Sequence, residues 1–276
     1  MKIGKMTKII RHNREINFSR VVAYGCSFTA GTELADHEYF QGLSADQVDD
    51  LKRKVGIEKF YLDLYTNRST REIVDARERE LVWPKWFSDY FNVGYLNRAT
   101  SGASNQASVY AIERDLADDI IRPDDLIVVG ITSPQRWFWF REDSFPLSPN
   151  FGFAPDWPSE WFHDDFIKKV GNDYFILYHL YQSMKYLDML SDRLGGRLVM
   201  QFVHHPANDY VEWMNVSKDF QFMFDSHNDF KSIIDVNYSF GNIINWDTDT
   251  HGFWHPKAAF HKQFGHDLAV KFSQHE

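Results

Sequence analysis

Two side chains far apart in the sequence could together perform nucleophilic catalysis. Ser27 lies in a turn of small residues after the apolar run 21–24 and Gly25, and its neighbour Cys26 is a second candidate nucleophile. A hydroxyl or a thiol becomes an effective nucleophile when a base lies beside it. Histidine is the side chain that changes charge near neutral pH, so His255 could accept the proton. Without such a base, the same turn is a plain strand-to-helix connection with Ser27 as its N-cap.

Both candidates are expected at one edge of a β-sheet. The run 21–24 has the length and β-branched character of a buried strand. In open α/β sheets the turns at the carboxyl ends of strands hold the chemistry, beside helix N-termini whose N–H groups suit negative charge. Pro256 predicts that a helix opens directly after His255, because proline fits the first helical turn. His255 would then lie in a loop that can point back towards Ser27.

Two further predicted strands bring small polar residues to the same edge. A strand over residues 93–97 precedes a loop with Gly102, whose missing Cβ lets a ligand approach the main chain. Asn105 could orient this loop or cap the helix that follows it, and it is also assigned as a candidate for substrate binding. The most hydrophobic run, residues 126–131, is typical of a central parallel strand, and Thr132 after it has a hydroxyl that can donate a hydrogen bond.

The order of the elements predicts an α/β/α sandwich, with a parallel sheet of about five strands in the flavodoxin-like order 2-1-3-4-5. Residues 198–203 and 243–246 are assigned to the fourth and fifth strands. Apolar residues at helical spacing predict a helix over residues 173–194. We interpret residues 1–276 as one domain with two insertions, at about 36–80 and 137–172.

Candidates for substrate binding lie in and beside the second insertion. Trp137 begins a segment rich in tryptophan and phenylalanine, whose rings could stack on sugars or form the small core of a lid or an oligomer contact. Arg136 could bind an anionic substrate group or hold its loop through an ion pair. His204, directly after the fourth strand, could contact substrate or have a structural role.

Three blocks of the sequence resemble, in the same order, blocks of the SGNH (GDSL-like) hydrolases. Gly-Cys-Ser-Phe at 25–28 is similar to their Gly-Asp-Ser-Leu block, in which the serine is the nucleophile. Residues 83–105 resemble the second block, where a helix and a short strand ending in Asn precede a Gly-x-Ser-Asn loop. His255 and Pro256, with His261 further on, resemble the fifth block, Asp-x-x-His-Pro with a second His in the helix.

The resemblance implies a serine esterase mechanism. Ser27 would be the nucleophile, His255 its base, and the N–H groups of Ser27 and Gly102 would form an oxyanion hole. The third block of the family, Gly-x-Asn-Asp, corresponds to Gly-Ile-Thr-Ser at 130–133, so Thr132 would give a hydroxyl in place of the Asn amide. Loss of one such donor typically lowers turnover by about 100-fold to 1000-fold, so the weaker donor predicts weaker catalysis.

Two acidic positions of the family are changed in this chain. Cys26 stands where the first block has Asp, and Gly252 stands three residues before His255, where the fifth block has its acid. Asp249 is our favoured residue for orienting the imidazole, across a longer loop. Asp247, or a backbone carbonyl in a Ser-His dyad, is the alternative.

These features predict hydrolysis of an ester, with an acetyl group on a saccharide as the preferred substrate class. The main alternative is an inactive relative that acts in carbohydrate binding or as a structural assembly component, which the changed blocks favour. A thiol enzyme using Cys26 is a third hypothesis. The composition, aromatic and rich in Asp, resembles that of phage-encoded members of the family.

Composition limits the partners and the compartment. Because the formal charge is −9, we do not expect a general nucleic-acid-binding surface. The single cysteine forms no disulfide within the chain. No run reaches the roughly 18 apolar residues of a membrane span, and residues 1–18 lack the apolar core of a signal peptide. We therefore expect a soluble, cytoplasmic protein, with no prediction about its oligomeric state.

The twelve histidines raise the question of a metal site. His251 and His255 are four residues apart, and His261 and His266 are five apart. Pro256 interrupts any helix common to both pairs, and no Cys or Glu joins them at ligand spacing. The sequence therefore predicts neither a metal nor another cofactor.

Overall fold

The computed structural model has a central sheet and seven helices in the part of the chain that it describes: residues 7–11, 14–31, 34, 47, 50, 53–54, 68–133, 139–141, 144–147, 173–203, 240–245, 248–250 and 255–273. The strands are β1 (Thr7–Arg11), β2 (Arg14–Phe18), β3 (Arg20–Tyr24), β4 (Gly94–Asn97), β5 (Asp125–Ile131), β6 (Trp139–Arg141), β7 (Ser144–Leu147) and β8 (Leu198–Phe202). The helices are α1 (Ser27–Ala30), α2 (Arg68–Leu81), α3 (Trp83–Phe91), α4 (Asn105–Ala117), α5 (Asp173–Arg193), α6 (Phe240–Ile243) and α7 (Ala258–Ser273).

Four parallel strands form the central sheet in the order β4-β3-β5-β8. In order of appearance in this sheet they are strands 2-1-3-4, which confirms the predicted order over these four. Every residue of β5 is buried, as expected for a strand covered on both faces. The carboxyl ends of β3, β4, β5 and β8 therefore lie along one edge, which we call the carboxyl edge.

Helices cover both faces of this sheet, because successive strand residues point to opposite sides. Val22 and Tyr24 belong to one apolar cluster, together with Ile112 of α4 and Leu187 of α5. The intervening residues of β3 belong to a second cluster on the other face, with side chains of α3 and α7: Val21, Ala23, Trp83, Phe87, Phe264 and Leu268. Burial of one large apolar side chain contributes roughly 1.5–3 kcal/mol, so these clusters hold the three layers together.

Helices α3 and α7 approach closely at Gly265. A Cβ on Gly265 would lie 2.3 Å from the carbonyl oxygen of Trp83, so only glycine allows this contact. One turn earlier in α7, Nδ1 of the buried His261 accepts a hydrogen bond from the N–H of Trp83 at 3.2 Å. His261 thus satisfies an N–H at the start of α3, where no carbonyl of the helix itself is available. This packing fixes the helix that follows His255.

Three sequence predictions about local structure are wrong. The proposed fifth strand over 243–246 does not form, because Ile243 ends α6 and residues 244–245 are irregular. Pro256 lies in a β-bridge with Thr250, and α7 begins two residues later, at Ala258. The apolar pattern after Pro84 also predicts a helix with Tyr90 on its buried side, but Tyr90 is exposed on α3.

The predicted insertions lie mostly outside the described residues. Within their ranges the structure describes α2 and the antiparallel hairpin of β6 and β7. The amino-terminal region contains the antiparallel pair β1 and β2. None of the helices in the described ranges combines the length and the apolar character needed to cross a membrane.

Candidate active site

The side chains of Ser27 and His255 meet at the carboxyl edge. Oγ of Ser27 lies 3.0 Å from Nε2 of His255, although 228 positions separate the two residues in the chain. Ser27 is the first residue of α1 and is 3% exposed, and His255 is half-buried. A hydroxyl and an imidazole at this distance share a proton, which is the arrangement that activates a serine nucleophile.

The turn that carries Ser27 depends on glycine and on close packing. Gly25 has a φ of +143°, and a Cβ there would lie 2.6 Å from Oγ1 of Thr29 and 2.9 Å from the carbonyl oxygen of Gly130. A side chain at position 25 would therefore both strain the backbone and displace α1. On the other side of the turn, the ring of Phe28 packs against the imidazole of His255, with 5.4 Å between their centres.

The neighbouring thiol is not placed for catalysis. The side chain of Cys26 is fully buried and belongs to the apolar cluster beneath α3 and α7. A fully buried thiol is out of reach of a substrate, and buried structural cysteines are inert. The geometry therefore favours Ser27 over Cys26 as the nucleophile.

A loop held by Asp249 presents the imidazole. The carboxylate of Asp249 accepts hydrogen bonds from the N–H of Asn245 at 2.9 Å and from Oγ1 of Thr248 at 3.3 Å. The main-chain carbonyl oxygen of Asp249 accepts a hydrogen bond from the N–H of Lys257 at 2.7 Å. This bond joins the chain before His255 to the chain after it and so closes the loop that carries the imidazole. No hydrogen bond joins the Asp249 carboxylate to Nδ1 of His255 in the described structure, so the direct contact that we expected is not observed there, and Asp247 lies outside the described residues.

The loop with Gly102 is bonded directly to the first turn. The N–H of Thr100 donates to the carbonyl oxygen of Gly25 at 3.0 Å. Gly102 has a φ of +78°, and no atom of the described residues lies within 4 Å of the position where a Cβ would stand. The main chain at Gly102 is thus approachable from that side. Ser104 caps the following helix by accepting from the N–H of Ala107 at 3.1 Å.

Asn105 connects this loop to the end of β5. Its Nδ2 donates to the carbonyl oxygen of Thr132 at 3.1 Å, and its Oδ1 accepts from the N–H of Thr132 at 2.9 Å. Because Ser104 is the N-cap, Asn105 orients the loop, which was one of the two roles left open. Its assignment to substrate binding stays a prediction. Oγ1 of Thr132 is buried and makes no hydrogen bond to any residue of the described chain.

Asn97 plays a similar part, and sequence reasoning gave it no role. Its Nδ2 donates to the carbonyl oxygen of Thr29 at 3.0 Å, while its Oδ1 accepts from the N–H of Ala99 at 3.0 Å. Asn97 is the last residue of β4 and is buried. A polar residue that ends a predicted buried strand was the available signal, since a buried amide needs hydrogen-bond partners.

A buried ion pair supports the sheet next to the site. Arg98 donates from Nε and Nη2 to the two carboxylate oxygens of Asp115, at 2.7 and 2.8 Å, and the hydroxyl of Tyr24 donates to the same carboxylate at 2.8 Å. Burial raises the pKa of the Asp115 carboxyl, but the bonds from Arg98 and Tyr24 together outweigh it, and the net pKa is lowered. Burial and the bond to Asp115 raise the pKa of the Tyr24 hydroxyl.

The remaining sequence candidates are not placed. Arg136, Trp137 and His204 lie outside the described residues, so their proposed contacts with substrate stay predictions. Within the described ranges, no three His, Cys, Asp or Glu side chains are grouped so that they could hold a metal ion.

The sequence matches no protein-family model and no curated protein. Among solved structures, the fold is similar to that of a member of the lipolytic protein G-D-S-L family from Veillonella parvula DSM 2008, at 11% identity and a TM-score of 0.42, over 91% of this chain and 96% of that one. It is also similar to a carbohydrate esterase whose active site displays divergent catalytic and non-catalytic binding functions, at 13% identity and a TM-score of 0.42, over 92% and 67%. Likeness at this level concerns the general fold and leaves the reaction open.

Proposed function

We propose that this protein is a serine ester hydrolase of the SGNH type. The observation that carries the proposal is the 3.0 Å contact between Oγ of Ser27 and Nε2 of His255, two residues that the sequence had singled out independently. The contact lies where parallel α/β sheets place their catalytic groups, at the carboxyl ends of the strands.

In this proposal His255 accepts the proton of Ser27 through Nε2, and Oγ attacks the ester carbonyl. The alcohol leaves with the proton held by His255, and water then releases the acyl group by the same steps in reverse. Asp249 supports the imidazole by holding the loop that carries it.

The oxyanion of each tetrahedral intermediate needs donors that are not used elsewhere. The N–H of Ser27 lies in the first turn of a helix, where no intrahelical acceptor exists. Gly102 offers a second N–H from a loop bonded to the same turn, and the buried hydroxyl of Thr132 offers a third donor. A neutral hydroxyl in place of an amide predicts modest turnover.

The proposed substrate class is an acetyl ester on a saccharide. It rests on the aromatic segment that begins at Trp137, whose rings suit sugar faces. The rival proposal, an inactive relative that binds carbohydrate or serves in assembly, rests on the changed acidic positions and on Thr132.

Hydrolysis of p-nitrophenyl acetate by wild type, Ser27→Ala and His255→Ala tests the reaction. We expect the rate of hydrolysis to fall by about 1000-fold or more in both variants, because nucleophile and base act as a unit. A fluorophosphonate should add to wild type at Ser27 and not to Ser27→Ala, as intact mass and peptide mapping would show. If all three proteins released p-nitrophenol at the same background rate, the result would support the rival proposal of an inactive relative. Cys26→Ala is the control, and its activity should stay close to that of wild type.

A further inference from the structure

Two buried carboxamides, those of Asn97 and Asn105, join the loops that supply the proposed oxyanion donors. Each uses its N–H₂ group and its carbonyl oxygen on main-chain groups of a loop at the carboxyl edge. Strands β4 and β5 have ended before Ala99 and Thr132, so these main-chain groups have lost the ladder partners that a sheet provides, and the Thr29 carbonyl lies in the last turn of α1, where helix carbonyls lack intrahelical partners. A carboxamide replaces a ladder partner because it has a donor and an acceptor side by side.

Asn97 links the nucleophile helix to the second loop. It bonds the carbonyl oxygen of Thr29, two residues after Ser27, and the N–H of Ala99, three residues before Gly102. The spacing between the N–H donors of Ser27 and Gly102 therefore depends in part on the Asn97 side chain. The bond from Thr100 to Gly25 adds a second connection between the same two segments.

Asn105 links the second loop to the third through both main-chain groups of Thr132. The Thr132 hydroxyl stands on Cβ, so one side-chain torsion and the main chain determine where it lies. A longer amide side chain could reach an oxyanion from several main-chain positions, whereas this short hydroxyl has little reach. Fixing the Thr132 main chain is thus a requirement of using threonine as the donor.

We propose that Asn97 and Asn105 are positioning residues that set the distances between the three oxyanion donors. The inference rests on the proposed esterase function and deepens it, since it assigns the residues on which the geometry of that site depends. Neither carboxamide contacts the reacting atoms. Because a displacement of about 1 Å can lower turnover by 100-fold, small movements of these loops have large effects.

The first test is kinetic. Asn97→Ala and Asn105→Ala should lower kcat for p-nitrophenyl acetate by about 10-fold to 100-fold, with KM within about twofold of wild type. Titration with a fluorophosphonate counts the folded, reactive sites, so kcat refers to folded protein even where a variant is less stable. Asp125→Asn, which removes a buried charge at the opposite edge of the sheet, is the matched control and should leave kcat unchanged.

The second test uses the pH profile of Asn105→Asp. A protonated aspartic acid has the shape of asparagine, and its O–H can donate to the Thr132 carbonyl while its other oxygen accepts from the N–H. An ionised carboxylate repels that carbonyl. The ratio of variant to wild-type kcat should therefore rise as the pH falls, whereas a residue needed only for folding gives a ratio independent of pH.

The outcomes separate the two proposals. If wild type shows Ser27-dependent hydrolysis while the alanine variants keep wild-type kcat and lose only thermal stability, the positioning role is overturned and the esterase function stands. A flat ratio for Asn105→Asp would overturn the role of Asn105 in the same way. If wild type shows no Ser27-dependent hydrolysis, the proposed function fails, and the inference fails with it.

Discussion

The buried polar groups at the two edges of the central sheet differ in whether they have hydrogen-bond partners. At the amino edge, where the parallel strands begin, Arg20 donates from Nε to Asp125 at 2.8 Å, and the N–H of Arg122 donates to the same carboxylate at 2.7 Å. Ser19 bonds Asp124 beside them and lowers the pKa of that carboxyl. At the carboxyl edge, the hydroxyls of Thr29 and Thr132 are buried and form no hydrogen bond within the described structure.

This difference indicates that the paired groups of the amino edge stabilise the fold, whereas the carboxyl edge keeps polar groups available for function. A buried polar group without a partner costs about 1–3 kcal/mol, so a fold gains nothing by keeping one for its own sake. The amide of Gln201, near the end of β8, is a further buried group without a hydrogen bond in the described part of the chain, and it lies towards the same edge. Proteins tolerate such groups where they act on a ligand, and the carboxyl edge is also where Ser27 meets His255.

The largest effect on activity is expected from removing the hydroxyl of Thr132, but not that of Thr29. Thr132→Val should lower kcat by about 100-fold to 1000-fold through loss of an oxyanion donor. Its thermal stability should stay equal or rise, because a methyl group replaces a buried hydroxyl that has no partner. Steady-state kinetics and thermal unfolding measure the two quantities.

Thr29→Val is the matched control for that change. It has the same chemistry at the same edge, but Oγ1 of Thr29 faces the glycines at positions 25 and 130. Activity should stay within about threefold of wild type, since no reacting group is lost. If both variants lost activity equally, or if Thr132→Val lost none, the special role of Thr132 would be refuted.

A second prediction concerns packing at the carboxyl edge. A Cβ on Gly130 would lie 2.1 Å from Oγ1 of Thr29, so Gly130→Ala should destabilise the protein by about 2–3 kcal/mol. Adding Thr29→Ala removes the clash, and the double variant should recover much of the loss. Urea unfolding measures both free energies, and additive effects in the double variant would argue against a shared cause.

A third prediction concerns the amino edge. Asp125→Asn keeps the shape of the side chain but removes the charge opposite Arg20, and should lower the free energy of unfolding by about 2 kcal/mol. Because Asp125 lies at the far end of the sheet from Ser27, kcat should not change. A fall in kcat in fully folded Asp125→Asn would break the division between the two edges.

The smallest effect depends on pH and concerns Asp115, which is fully paired like the carboxylates of the amino edge. Its pKa is lowered in the folded state from the ordinary value of 3.8, so its contribution is complete above that value and is lost as the pH falls through the folded pKa. The free energy of unfolding of wild type should exceed that of Asp115→Asn by about 1 kcal/mol at pH 7, and the difference should shrink below about pH 4. Denaturant unfolding at several pH values checks this, and a difference that persists at low pH would contradict it.

The sequence predicted best those features that short-range patterns determine. The apolar runs of β3, β5 and β8 and the small-residue turn at Ser27 were recognisable because burial and tight turns restrict residue type locally. The prediction of a fifth strand was wrong because Ile244 is apolar for a different reason. Ile244 is buried in the cluster beneath α3 and α7, so its burial comes from packing beside α6 and not from strand pairing.

The contacts of the site were harder to predict than its members. Ser27 and His255 were recognisable as candidates from the residues around them, but no local pattern shows which loop an amide such as Asn97 will bond. Such contacts arise only when distant strands end side by side. The resemblance also could not show how Thr132 is held, because the family has asparagine at that position.

The distance along the chain between Ser27 and His255 has a consequence for biosynthesis. One partner belongs to the first parallel strand and its turn, whereas the other precedes a helix that docks on α3 through Gly265. During translation, 228 positions separate the serine from the imidazole that the proposed function pairs with it, so a growing polypeptide would carry the serine alone over that stretch. Catalytic competence would therefore arise at a late stage of folding, and a nascent chain would remain inert towards esters until helix α7 had emerged from the ribosome and packed.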